Sequence, residues 1–527
     1  MRKLSTWLPF IIGLSLGAGV LLGAKLGTRS KFGDNALAYD KIKAVLGYVE
    51  ANYVDTVDVE KLTDMTLEDM LQHLDPHSDY FTAEEIKAMS EPLQGNFEGI
   101  GIEYNFVQDT LVVMAVIPGG PSEKAGLKTG DRIVRANDTL LTGKNSSEKN
   151  IKGKLRGPAG TKVTVQVRRP GRKDLFNVPI TRGRVPIYSI QGAYMLNENT
   201  GYIKLDRFAE KSYEEFMKAT KNLLGEGMKN MVLDLRGNGG GYLDAATNIA
   251  DEFLSAGKMI VYTQGRLEGE VKSLATSKGI LENTPLVILV DENSASASEI
   301  LAGAIQDNDR GTIIGRRTFG KGLVQEEKRL FDGSAFRLTI ARYYTPTGRS
   351  IQKPYDKGLD AYAADEQNRF NHGELVNADS IKFPDSLKFK TPAGKIVYGG
   401  GGIMPDLFVP LDTSGGSTLL NNLFYKDVFT LWSLSYAANH NAELTKMGLK
   451  NFHTNFVITD ALVNELMSVA EKNGVALNEL QQKRSSALIR KYMKAAVARN
   501  IWGDAGYLQV WNEGDRFLEA AEKAFRK

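Results

Sequence analysis

The sequence predicts a protein of several domains, in which a compact, mostly β module precedes an α/β core with a mixed sheet, and helical segments flank the pair. Three observations lead there. The 527 residues, 42% hydrophobic and 24% charged, have the balance of folded globular protein in a length that one core does not serve. Hydrophobic spacing changes along the chain from helical, to short strands, to strands alternating with helices, and back to helical. Glycine and proline clusters, at residues 118–121 and 157–160, punctuate the stranded stretch as turns of a single small domain would.

Taken in order, Arg2 and Lys3 precede an almost uncharged stretch, residues 7–24, rich in Leu, Ile and Gly. Charge followed by an apolar run is the order of an export signal, so the bulk of the chain is expected outside the cytoplasm. The run is a little shorter than the roughly 20 residues that span a bilayer, and Pro9 weakens it as a helix. It is nonetheless long for a signal core, and no small-x-small site follows it cleanly. An uncleaved anchor over residues 1–28 is therefore predicted, with a cleaved signal as the alternative. Next, Ile42, Val45, Leu46 and Val49, then Leu67, Met70, Leu71 and Leu74, fall at helical spacing and define a helical segment over residues 29–88.

Strand patterns at 100–106 and 111–116, the alternating Val163, Val165 and Val167, and 175–180 place the β module at residues 89–187. From residue 188, strands at 201–205, 231–235 and 286–290 alternate with helical stretches at 212–224 and 244–254, the pattern of crossover connections over a sheet. Residues 325–331 and 335–344 then flank Asp332-Gly333, the dipeptide of a tight hairpin, so the sheet of the 188–412 core is mixed. Residues 354–402, rich in Asp, Lys and Gly, read as a loop-heavy insertion. Helical patterns at 419–434, 461–472 and 477–499, with three of the four tryptophans, define a C-terminal helical domain over 413–527.

Composition narrows the function. With 66 basic against 63 acidic residues and no dense basic run interleaved with aromatics, nucleic acid is not an expected partner. The absence of cysteine excludes disulfides, a cysteine nucleophile and thiolate metal sites, and neither a metal nor a cofactor is expected.

The chemistry gathers in three segments. Strand 286–290 leads into Asp291-Glu-Asn-Ser-Ala-Ser-Ala-Ser-Glu-Ile300, which places serines on a strand-to-helix turn, beside the positive end of a helix dipole that suits a nucleophile generating an oxyanion. The competing structural reading is a capping box between Ser296 and Glu299. Outside the 354–402 insertion, which holds His372, none of the five histidines lies in the core that carries Ser296, and no G-x-S-x-G elbow occurs, which disfavours a Ser-His-Asp hydrolase. Lysine is the other base available to serine when burial keeps it neutral. Lys321, in Thr318-Phe-Gly-Lys-Gly322, is the strongest candidate, and Gln325, four residues on, is placed to orient its amine without adding charge. A phosphate-binding loop over residues 315–321 fails at Gly322, where Ser or Thr would hold magnesium. The third segment, Met231-Val-Leu-Asp-Leu-Arg-Gly-Asn-Gly-Gly-Gly241, ends a strand in a glycine-rich turn whose N–H groups are free to face an anion. A dinucleotide fingerprint there lacks its third glycine, since position 242 is tyrosine.

Together these segments resemble the carboxyl-terminal processing peptidases, or tail-specific proteases. Leu74-Asp-Pro-His-Ser78, Phe97-Glu-Gly-Ile-Gly-Ile102 and Gly401-Gly-Ile-Met-Pro-Asp406 extend the resemblance over about residues 40–410. It implies a PDZ domain inserted before a mixed-sheet, crotonase-like α/β peptidase core. It implies Ser296 as nucleophile, Lys321 as general base and Gln325 as the orienting residue. Oxyanion donors would be the N–H of Ala297 and of a glycine in the 239–241 turn, with Gly240 preferred. Phe97, Gly99, Ile100, Gly101 and Ile102 would hold the C-terminal carboxylate of a protein or peptide substrate, added to the domain as a β-strand. Arg156 is the expected coupling residue between tail binding and the peptidase. The implied protein is a membrane-anchored serine endopeptidase of the cell envelope, facing the periplasm or exported if the signal is cleaved, with room for self-association or an adaptor. A proteolytically silent PDZ scaffold of the same fold is the alternative, and it would have no chemical use for the complete Ser-Lys-Gln set.

Overall fold

The computed structural model describes residues 36–107, 109–143 and 147–526. The predicted anchor lies outside them, and among them no helix is long and apolar enough to cross a membrane. The chain divides into two units, one ending at His73 and one beginning at Leu74. In the first, helices Ala36–Asn52 and Val59–Gln72 are the described elements; Asp58 caps the second by accepting the Lys61 N–H at 3.0 Å. Leu37, Ile42, Val45 and Tyr48 of this unit are exposed.

The second unit opens with strand Asp79–Phe81 and helix Ala83–Gln94, which a Thr82–Glu85 capping box starts and Gly95, at φ 72°, ends. The strand interrupts what helical spacing alone predicted. It pairs with residues 335–337, a partner far along the chain that no local pattern reveals.

The β module is a six-stranded antiparallel sheet in which Thr110–Val116, Arg132–Ala136, Lys162–Arg168 and Phe176–Thr181 follow Ile102–Val107. Val163, Val165 and Val167 all point into its core beside Leu111, Val113 and Ile133, as period-two alternation requires. The strand expected at 100–106 runs from Ile102 to Val107, after Gly101, whose φ of 77° turns the chain out of a separate short strand, Asn96–Gly99, that pairs with Gly183–Pro186.

The core's central sheet runs Ile190–Met195, Thr200–Leu205, Asn230–Asp234, Leu286–Val290, Thr312–Gly315, Leu407–Phe408. The first pair is antiparallel and the others parallel. One face packs against helices Ser212–Gly225, Leu243–Asp251 and Ala297–Asp307 through Phe216, Ile249, Leu301 and Ile305. On the other face Tyr202, Val232, Val287 and Leu289 are covered by Leu518 and Ala521 of the last helix, Arg516–Phe525. That helix therefore packs on the core sheet, an assignment that amphipathic spacing cannot make because the pattern does not say what an apolar stripe will cover. A second sheet joins Ala335–Tyr344 to Leu323–Arg329, Met259–Gly265 and Asp79–Phe81.

Beyond residue 417, helices Thr418–Tyr425, Val428–Met447, Leu449–Asn455, Asp460–Lys472 and Glu479–Trp511 enclose a core of Leu423, Trp432, Leu466 and Ile489. Asp427, at φ 52°, breaks the expected 419–434 helix in two. This layer also touches the β module, where Arg499 pairs with Glu103 at 3.0 Å and Asn105 donates to Asp427 at 3.0 Å.

Candidate active site

The Leu286–Val290 strand is buried along its whole length and delivers the chain to the serine-rich turn at the edge of the core. The outer serines of the triplet are fasteners. Ser294 Oγ donates to the Leu235 carbonyl at 2.9 Å and Ser298 Oγ to the Asn238 carbonyl at 2.9 Å, tying this turn to the glycine-rich one. Between them Ser296 sits half-buried at φ 54°, ψ −113°, a conformation that costs a non-glycine residue of order 1–3 kcal/mol and persists only where its surroundings impose it. Asn238, fully buried, shapes the facing turn: its Nδ2 donates to the Leu205 carbonyl at 3.0 Å and its Oδ1 accepts the Gly240 N–H at 2.8 Å.

Gly240 lies against the serine. A Cβ built on it would lie 2.8 Å from the Ala295 carbonyl oxygen, 2.9 Å from Ser296 Cβ and 3.0 Å from the Ala297 nitrogen, at a φ of 102°. Its own N–H, however, is committed to Asn238, so in this conformation Gly240 supplies close approach rather than a donor. Gly239 and Gly241 line the same cavity and carry the other N–H groups of the turn.

Lys321 arrives on a separate loop, and Glu299 joins that loop to the serine. This carboxylate, fully buried in the first turn of the Ala297–Asp307 helix, accepts the N–H of Ser296 at 2.8 Å, the N–H of Lys321 at 2.8 Å, the N–H of Gly320 at 2.7 Å and the hydroxyl of Thr318 at 2.6 Å. Burial pushes its carboxyl up to about 7, while those donors pull the other way. The capping reading of Glu299 thus describes one of four bonds. Tyr343, 1% exposed, adds a second link by donating to the Lys321 carbonyl at 2.6 Å and the Ser296 carbonyl at 3.2 Å. Behind the loop, Arg369 donates to the carbonyls of Thr318 at 2.8 Å and Phe319 at 3.1 Å, and the Lys353 N–H to that of Gly320 at 2.9 Å. The 354–402 insertion therefore supports the lysine loop, a role its weak periodicity did not announce.

Ser296, Lys321 and Gln325 line one cavity of about 580 Å³ with residues 239–242, Glu327 and Arg337. Ser296 and Gln325 also line an adjoining cavity of about 530 Å³ walled by Tyr213, Leu243, Ile300, Leu323 and Val324. Burial holds the Lys321 amine below the ordinary lysine range, and the Arg337 guanidinium adds to this; Glu299 and Asp75 oppose it. The spacing argument for Lys321 and Gln325 needs a correction. Lys321 precedes the Leu323–Arg329 strand and the pairing register shifts between Val324 and Gln325, so regular alternation is not what brings them to one cavity. Gln325 Nε2 donates to Thr339 Oγ1 at 3.3 Å.

In the β module, Phe97, Ile100, Gly101 and Ile102 line a small hollow with Tyr104, Lys152, Leu155 and Arg156. Gly99 stands behind it, its position within 3.5 Å of the Arg156 backbone for any Cβ. The Arg156 guanidinium lies 4.9 Å over the Phe97 ring and bonds Glu91. Glu91 belongs to the Ala83–Gln94 helix, whose Ser90, Leu93 and Gln94 line the cavity of Ser296.

Comparison with known proteins accords with this organisation. Residues 99–180 match the PDZ domain, residues 199–360 peptidase family S41, and residues 419–503 a family of unknown function. Over 348 residues the chain is 36% identical to the carboxy-terminal-processing protease of Bartonella bacilliformis, covering 65% of this chain and 79% of that protein. It is 32% identical to the carboxy-terminal processing protease CtpB of Bacillus subtilis over 349 residues, 66% of this chain and 72% of that one. Among solved structures it is similar to a photosystem II D1 C-terminal processing protease, at 27% identity over 69% of this chain and 91% of that chain, with a TM-score of 0.35. With a PDZ domain preceding an S41 peptidase domain, and relatives matched over more than two thirds of their length, the chain belongs to the carboxy-terminal-processing proteases of peptidase family S41.

Proposed function

We propose that this protein is a serine endopeptidase of the cell envelope that selects proteins by their C-terminal tails and cuts them with Ser296. Lys321 Nζ, neutral, takes the Ser296 Oγ proton as Oγ attacks the scissile carbonyl carbon. The oxyanion that forms accepts from the Ala297 N–H and from a second N–H of the 239–241 turn. The tetrahedral species collapses, the C–N bond breaks, and the Lys321 ammonium returns its proton to the departing amine. Water, activated by the same lysine, then releases the acyl group. Gln325 orients the amine throughout. The observation that carries this reading is the double tie, through Glu299 and Tyr343, that holds the Ser296 and Lys321 segments together on one cavity.

The core is read as crotonase-like, and the PDZ domain as the tail-binding module, with Phe97 and residues 99–102 around the substrate carboxylate and Arg156 coupling that event to the peptidase through Glu91. Residues 1–28 would anchor the chain in the inner membrane with the catalytic part in the periplasm; self-association or an adaptor would add partners beyond the substrate. The test pairs one unfolded protein ending in a free apolar tail with its C-terminally amidated twin, at subsaturating concentration. Faster cleavage of the free-tailed form is expected, and Gly101→Val should erase the difference, since a Cβ there meets Pro121 and Val185 at 3.2 Å. Equal rates for the twins with the unaltered protein would overturn tail selection.

A further inference from the structure

Gln325 is useful to a lysine base only if its amide is turned the right way, because one end of the group donates and the other accepts. A neutral amine awaiting the serine proton has its own N–H bonds to dispose of, and an acceptor that takes one of them leaves the lone pair aimed at the serine. A donor in the same place would compete for that lone pair. The structure contains a device that settles which end is presented.

The device begins at Asp75, buried at 8% exposure in the segment before strand Asp79–Phe81. Asp75 Oδ1 accepts the N–H of His77 at 2.8 Å, the N–H of Ser78 at 3.0 Å and the hydroxyl of Thr339 at 3.0 Å; Oδ2 accepts the Ser78 hydroxyl at 2.6 Å. Ser78 Oγ in turn accepts the Thr339 N–H at 3.1 Å, so Thr339 is held on both its backbone and its side chain. A carboxylate only accepts, so the single hydroxyl proton of Thr339 is spent on Asp75. Thr339 Oγ1 can then only accept from Gln325, and Nε2 of that amide does donate to it at 3.3 Å. The remaining end of the amide is Oε1, and Gln325 and Lys321 line the same cavity.

We propose that Asp75 and Thr339 are positioning residues that set the orientation of the Gln325 amide, so that its Oε1 accepts from Lys321 and directs the amine lone pair to Ser296. The proposal rests on the Ser296–Lys321–Gln325 reading of the site and adds to it a relay from residues far away in sequence. Thr339→Val keeps the shape of the side chain and removes the acceptor, freeing the amide to rotate. Asp75 keeps three of its donors in that variant, so the segment stays anchored.

The experiment is a double-mutant cycle on the full chain, measuring kcat and KM on an internally quenched unfolded substrate together with the Tm of each variant. Thr339→Val should lower kcat about five- to tenfold, the worth of one oriented hydrogen bond, with KM unchanged. Thr339→Ser should restore most of the rate. In a Gln325→Ala background Thr339→Val should cost nothing further, because there is no amide left to turn. A kcat for Thr339→Val within twofold of the unaltered protein, or the same loss in the Gln325→Ala background, overturns the relay while leaving the catalytic reading intact. Ser296→Ala serves as the control that separates the two: cleavage surviving in that variant overturns the catalytic reading and the relay with it.

Discussion

Ser296 and Lys321 are held in opposite ways. The serine stands at the end of a fully buried strand, in a turn fastened by its own neighbours, Ser294 and Ser298, to the adjacent glycine-rich turn. The lysine sits on an irregular loop that is held by residues remote in the chain: Glu299, Tyr343, Lys353 and Arg369. Both halves rest on tertiary contacts, but the side chains that fasten the serine turn come from within its own motif, whereas those that hold the lysine loop come from other segments. Sub-ångström placement of both is what the chemistry needs, so either kind of support is a point of failure.

The comparison can be broken first on the serine side. Gly240→Ala should abolish proteolysis while the protein remains folded, because its Cβ would collide with backbone at Ala295 and Ala297 and with Ser296 itself; peptidase assay with circular dichroism as the folding control checks this. Next is the joint. Glu299→Gln replaces an acceptor of four bonds with a group that brings an N–H₂ toward N–H donors. Activity should fall at least about a hundredfold, and denaturant melts should show a loss of about 3 kcal/mol.

On the lysine side the effects should be graded. Arg369→Ala frees the Thr318 and Phe319 carbonyls and leaves the serine turn untouched. An activity loss of about tenfold and a destabilisation of about 1–3 kcal/mol are expected, read from kcat and urea titration. Arg337→Gln should change the pH profile more than the maximum rate. The guanidinium disfavours protonated Lys321, so removing its charge raises the lysine pKa. In the proposed mechanism only neutral Lys321 accepts the serine proton, so the rise of activity with pH should move to higher pH. His77, pushed down to about 4 by burial and the nearby Lys321, stays neutral across that range and leaves the profile alone.

What the sequence made legible follows the same division. The 286–290 strand, the hairpin around Asp332-Gly333 and the inward valines 163, 165 and 167 follow from short-range periodicity and turn chemistry, and they appear at those positions. The serine triplet and the glycine-rich turn are likewise contiguous motifs. Strand Asp79–Phe81, the short strand Asn96–Gly99 and the support of Lys321 by the 354–402 insertion depend on partners tens to hundreds of residues away, where no local pattern reports them. Gly240 shows the intermediate case: the motif located the backbone beside Ser296, but not the Asn238 side chain that takes its N–H.

The central claim is that Ser296 and Lys321 act as one chemical unit. The most direct test incubates the full chain with an unfolded, free-tailed protein and compares it with Ser296→Ala and Lys321→Ala, each shown to be folded by its melting curve. Both variants should leave the substrate uncut over a time in which the unaltered protein consumes it, and the double variant should be no worse than either alone. Turnover near that of the unaltered protein by Ser296→Ala, in a preparation free of contaminating proteases, would contradict the account.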